Sequence, residues 1–167
     1  QARHDTIGAA GFPWMRTPNV DRLVREGCLF TNAYTPNPLC MPARYSLLTG
    51  RSSRAHGFFG IQDTPMADAG LPTLPQVFSD RGWATAAVGK MHFHPVRRHH
   101  GFEWMKLMEE LPRYRAEDDY ARFLEAQGHG DVRNLHGVRP LLYHEPQAAL
   151  MPEALHGEYW VDRTAVE

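Results

Sequence analysis

Apolar residues fall in short runs whose spacing changes along the chain. Val20, Leu23 and Val24 recur at helical intervals, so the stretch from Pro18 predicts a short helix. Thr17 can cap it, Pro18 suits its first turn, and Gly27 suits a left-handed stop. Cys28 to Tyr34 alternates and is rich in strand formers, which predicts an extended segment; Pro36 and Pro38 break it into a loop. Pro42 to Leu48 predicts a second helix, ended by Thr49-Gly50-Arg51. Residues 52–71 carry several Gly, Ser and Asp and predict a long loop. Thr73 and Gln76 make a capping-box pattern, opening a helix with Leu74, Val77 and Phe78 inward and Gly82 at its end. Trp83 to Val88 predicts a short strand finishing at Gly89-Lys90.

Helix and strand in alternation predict an α/β domain with a largely parallel sheet. His92 to about Arg115 predicts loop with weak helical pieces. Ala116 to Gln127 predicts a helix with Tyr120, Phe123 and Leu124 on one face. Residues 128–151 predict an excursion over the surface, and Pro152 opens a helical stretch running to Glu167. There is no internal repeat, low-complexity tract or internal domain boundary.

Composition narrows the class. At 167 residues, 43% hydrophobic and 22% charged, the chain excludes a disordered, collagen-like or disulfide-stapled protein. Its apolar runs are too short to span a bilayer. A net charge of −1 argues against nucleic acid or an anionic membrane as the main partner. The chain starts at Gln1 and stops at Glu167 inside a helical pattern, so we expect residues 1–167 to be a fragment of one catalytic domain, truncated at both ends. Its compartment is not legible.

Candidate chemistry centres on Cys40-Met41-Pro42-Ala43-Arg44, followed by Leu47-Leu48-Thr49-Gly50-Arg51. A cysteine stands at the mouth of a helix, where free N–H groups favour negative charge. Arg44, one turn on, adds a planar cationic fork suited to oxyanions. These residues describe a nucleophile beside an oxyanion site; the alternative is a buried cysteine next to an arginine that pairs with a surface acid. Cys28 has no Pro or Arg context and predicts a core residue. His94, His99 and His100 have no clean ligand spacing and predict surface or supporting roles. Asp118-Asp119 predicts helix capping and solvation.

The C-x-P-x-R stretch with its Leu-Leu-Thr-Gly-Arg continuation resembles the signature of the type I sulfatases of the alkaline phosphatase superfamily. Gly82 to His92, a strand running into Gly89-Lys90-Met91-His92, resembles the second sulfatase signature. Thr17 to Leu23, with Phe30 to Tyr34, is similar to the stretch preceding the family's cysteine, and Gln1 to Asp5 to the tail of its first metal motif. The resemblance covers residues 1 to about 102. It implies an alkaline-phosphatase-like fold with a mostly parallel central sheet flanked by helices.

The resemblance also implies the chemistry. Cys40 would be oxidised to formylglycine by a formylglycine-generating enzyme, Arg44 would be the matching arginine, and Lys90 and His92 would contact sulfate and formylglycine. A hydroxyl of the hydrated aldehyde would attack sulfur and expel the alcohol; the second hydroxyl would then lose its proton and release sulfate. Ca²⁺ or another divalent cation would lower the nucleophile's pKa, held by formylglycine at Cys40 and by ligands outside this chain. The implied substrate is a small-molecule or saccharide sulfate ester. Two rivals remain: a phosphonate or phosphate ester hydrolase of the same superfamily, and a non-catalytic α/β module with unmodified Cys40. The 167 residues alone would be inactive.

Overall fold

The computed structural model describes residues 4–61, 65, 70–110, 112–132 and 151–167. They fall into two compact units, Gln1–Thr35 and Pro36–Glu167.

In the first unit, two 3₁₀ turns, His4–Thr6 and Gly8–Ala10, precede helix α1, Pro18–Glu26. Thr17 starts α1 but does not cap it. Its hydroxyl instead accepts from Gly8 N at 2.9 Å and donates to Asp21 Oδ1 at 2.8 Å. Asp21 also accepts from Ala9 N at 2.9 Å, and these bonds hold its carboxyl below the usual range. A Cβ on Gly8 would sit 2.7 Å from Met15 O, so only glycine fits this approach. Gly27 does not take the expected left-handed stop; its φ is −120°. Val20 and Leu23 are exposed within the described chain.

The expectation for Cys28 to Tyr34 is also corrected. The segment is irregular, and Cys28 is exposed, not core. Alternation alone does not make a strand: the ladder needs a partner, and none of the described residues pairs with this segment.

The second unit is built on two parallel strands, β1 (Ala86–Gly89) and β2 (Trp104–Leu107). Their register sets Ala86 opposite Trp104 and Gly89 opposite Leu107. In both strands the second and fourth residues are buried, as one packed face requires. Helices α2 (Cys40–Thr49) and α3 (Ser53–His56) pack together, and α2 also meets α4 (Leu74–Ser79). Helix α5 (Asp119–Ala126) packs on β2, and α6 (Gly157–Val166) on β1. Tyr45, fully buried, stacks on Phe58 with ring centroids 4.3 Å apart, in a core shared with Met41, Leu48, Ala87, Phe93, Met105 and Leu107. A second cluster joins Tyr120, Ala121, Leu124, Met151 and Trp160. Among the described residues no helix is long and apolar enough to cross a membrane.

The α/β reading and the end of α2 agree with this arrangement, and Gly50 closes α2 at φ 64°, while its start lies two residues before the expected Pro42. Several expectations do not. Strand β2 lies where loop with weak helical pieces was expected; it is short, and its place depends on pairing with distant β1. Helix α3 interrupts the expected loop at 52–71. In α4, Thr73 Oγ1 accepts from Gln76 N at 3.3 Å, but Gln76 turns to Asp80 at 2.6 Å, so only half of the capping box forms. Pro75 is the buried residue of α4, while Leu74 and Phe78 are exposed. Most of the expected excursion at 128–151 lies outside the described residues, as does Gln1.

Candidate functional site

Cys40 is the first residue of α2 and is half-buried. Leu39 precedes it in an extended conformation and gives no side-chain cap. Arg44, one turn further, donates from Nη1 to the main-chain carbonyl of Lys90. This bond ties the opening turn of α2 to the chain just beyond β1. Among the described residues Arg44 forms no ion pair.

Gly89 ends β1 at φ 100°, and the strand geometry does not continue. Lys90 Nζ meets Glu110 Oε2 at 2.7 Å. His92 takes a left-handed φ of 55°, uncommon for a residue with a Cβ. The backbone N–H groups of Met91 and His92 both reach Glu109 Oε1, at 3.0 and 2.8 Å.

His92 sits among charges of both signs. Burial is the main force holding its pKa below the ordinary histidine value. Lys90 and Arg44 push it the same way, and Glu109 and Glu110 oppose them. These surroundings favour the neutral form of His92 more than water does. Its Nδ1 is buried with no hydrogen-bond partner among the described residues, a costly state outside a functional setting.

His92 and Met41, the neighbour of Cys40, line one cavity of about 550 Å³. Arg113, Tyr114 and Glu117 also line it, with the Arg113 guanidinium 5.5 Å from the centre of the Tyr114 ring. Thus three of the sequence-derived residues, Arg44, Lys90 and His92, come together through a hydrogen bond and mutual charge. Cys40 shares α2 with Arg44, and its neighbour Met41 lines the cavity.

The neighbouring histidines separate by role. Phe93 is buried against Tyr45 and His100. His94 donates its backbone N–H to Tyr45 Oη at 3.2 Å and lines the cavity beside His92. His99 is exposed, whereas His100 is buried in the aromatic core, contrary to a surface role. Asp118 does cap α5, accepting from Ala121 N at 2.7 Å, but it and Asp119 are buried rather than solvated. Asp119 takes Leu107 N at 2.8 Å and pairs with Arg97 at 2.8 Å.

Glu109 and Glu110 were not expected in the site. Their signal is positional: they follow β2, and the parallel register sets them beside the residues that follow β1. Among the described residues no group of three or more His, Cys, Asp or Glu side chains is placed to hold a metal ion. Glu109 and Glu110 are already engaged by backbone N–H groups and by Lys90. The described donor set therefore does not make a cation cage.

The family model described as Sulfatase matches residues 1–155. The chain is 34% identical over 142 residues to an arylsulfatase of Clostridium perfringens, which covers 77% of this chain and 29% of that protein. It is 35% identical over 149 residues to the human N-acetylgalactosamine-6-sulfatase, covering 71% of this chain and 28% of that one. It thus spans under a third of the length of these curated relatives. Among solved structures, the phosphonate monoester hydrolase of Agrobacterium radiobacter superposes with a TM-score of 0.73 at 22% identity, over 99% of this chain and 35% of that one. That likeness establishes the alkaline-phosphatase-like fold.

Proposed function

Because the chain belongs to the sulfatase family, we propose that its protein hydrolyses a sulfate monoester through a formylglycine made from Cys40. The observation that carries this reading is the bond from Arg44 to the Lys90 carbonyl, with His92 beside both cations. It joins the two motif segments at one place.

Each residue has a proposed task. Formylglycine at Cys40, once hydrated, offers the hydroxyl that attacks sulfur. The remaining N–H groups of Arg44, with Lys90, bind the sulfate oxygens and stabilise the charge that develops on them. Neutral His92 directs its unpartnered Nδ1 to the hydrated aldehyde, orienting a hydroxyl or taking its proton. A divalent cation, Ca²⁺ in this reading, would lower the nucleophile's pKa when bound. Cys40 as formylglycine is the one ligand we propose from this chain, and no step above passes through the metal. The formylglycine-generating enzyme is the proposed maturation partner. The phosphonate monoester hydrolase likeness is one of fold, whereas the sequence relatives are sulfatases.

Two measurements on the full-length protein, co-expressed with a formylglycine-generating enzyme, test this reading. The Cys40 peptide should be about 18 Da lighter than its thiol form, as sulfur and two hydrogens are lost and one oxygen gained. Turnover of an aryl sulfate should exceed that of the matching aryl phosphonate. An active enzyme with an intact Cys40 thiol excludes the formylglycine mechanism, and a preference for the phosphonate makes the protein a hydrolase of phosphorus esters.

A further inference from the structure

We propose that Glu109 is the positioning residue of this site, its Oε1 holding the turn that presents Lys90 and His92. The inference rests on the reading above, in which those two side chains act on the ester.

The turn needs a support. Gly89 leaves β1 at φ 100° and His92 follows at φ 55°, so the chain bends through two left-handed residues within four positions. Glycine accepts this readily, but histidine does so only where its surroundings impose it. The support is a single oxygen. Met91 N at 3.0 Å and His92 N at 2.8 Å converge on Glu109 Oε1. Successive backbone N–H groups closing on one anionic atom form a small anion nest, here filled by the protein's own carboxylate.

Glu109 is itself held. It is 6% exposed, so little water competes for the carboxylate. Its own N–H donates to Asp118 Oδ2 at 2.6 Å. Asp118 is fully buried and caps α5 through Ala121 N. Hydrogen bonds therefore run unbroken from the start of α5, through Glu109, to the backbone of His92. Met108 N adds a bond to Gly89 O at 3.1 Å, extending the strand pairing to the residue before Glu109. Glu109 also lines the cavity, and through these bonds it acts on the turn.

Both amide bonds end on the same oxygen, so acceptor and charge can be separated. Glu109→Gln keeps a carbonyl oxygen for the two N–H groups and loses the charge; Glu109→Ala loses both. In the formylglycine-bearing full-length protein, Glu109→Ala should lower kcat/KM for an aryl sulfate by about 10- to 100-fold, chiefly through kcat. Glu109→Gln should recover most of that loss. Hydrogen exchange at the Met91 and His92 amides should quicken in Glu109→Ala and stay slow in Glu109→Gln. Should the alanine variant not fold, Glu109→Asp, which withdraws the oxygen by one methylene and keeps the charge, takes its place with the same expected loss.

Unchanged exchange at both amides overturns the proposal. So does a glutamine variant as impaired as alanine, or a lowered melting temperature with kcat intact in the folded enzyme. Wild-type protein that hydrolyses neither aryl sulfate nor aryl phosphonate would instead remove the functional reading. The exchange pattern would then still decide whether Glu109 holds the turn.

Discussion

Arg44→Lys separates two jobs that one side chain performs. Nη1 of Arg44 is committed to the Lys90 carbonyl, which leaves the Nε–Nη2 edge for an ester oxyanion. Lysine keeps the charge but cannot hold the carbonyl and grip two sulfate oxygens at once. A hydrogen bond involving a charged group contributes about 1.5–3 kcal/mol, and a lysine amine can regain part of it, so the fold should lose about 1 kcal/mol. That is at most about 2–4 °C in the melting temperature of the full-length enzyme. Loss of the bidentate edge should remove about 2–4 kcal/mol of transition-state stabilisation. That is about 30- to 1000-fold in kcat/KM. The assay is aryl sulfate turnover by full-length enzyme, normalised to formylglycine content, with a thermal melt of the same preparation. A melting temperature lowered far beyond this range, with kcat/KM of the folded enzyme unchanged, would make Arg44 a structural clamp and refute its contact with the ester.

Three further outcomes are expected. Cys40→Ala should abolish turnover and leave the melting temperature close to wild type, since the residue is half-buried at a helix start; Cys28, exposed and without the Pro and Arg context, should keep its thiol, as peptide masses will show. Asp118→Ala should cost about 2–4 kcal/mol in denaturant unfolding, through loss of the α5 cap and of the acceptor for Glu109 N, and a cost under about 0.5 kcal/mol would contradict the described bonds. Acidification should destabilise the fold through His56, which is 1% exposed, accepts from Phe58 N at 3.2 Å and has its pKa lowered chiefly by burial. The unfolded chain protonates this histidine near its ordinary pKa of about 6.5 while the folded one does not, so stability present above that pH is lost as pH falls toward the folded value; a urea midpoint that falls no further between pH 7.5 and 5.5 in wild type than in His56→Gln would contradict it.

What could be read from the chain beforehand divides along the range of the interactions. Helix α2 depends on neighbours in sequence: proline in its first turn and a left-handed glycine at its end. The end of β1 at Gly89 and the Asp118 cap are equally local, the cap spanning three residues. Strand β2 is different. Four residues with one buried face acquire their role only against β1, in a register no short window contains. The segment at Cys28 errs in the opposite direction, with a strand-like composition and no ladder to join among the described residues.

The same division explains why Cys40, Arg44, Lys90 and His92 were legible as candidates and Glu109 was not. The first four lie in contiguous motifs whose residue types carry their chemistry. Glu109 is one acidic residue among many until β2 is paired in parallel with β1. Gly89 then faces Leu107, and the segments leaving both strands run side by side. In that register a carboxylate two residues beyond β2 meets the amides two and three residues beyond β1. Pairing Gly89 one position along would turn the buried faces of the two strands out of step and take Glu109 away from His92. The proposed site therefore depends on strand register as much as on its motifs, and a substitution that shifts β2, far from Cys40 in sequence, should damage turnover through the Lys90–His92 turn.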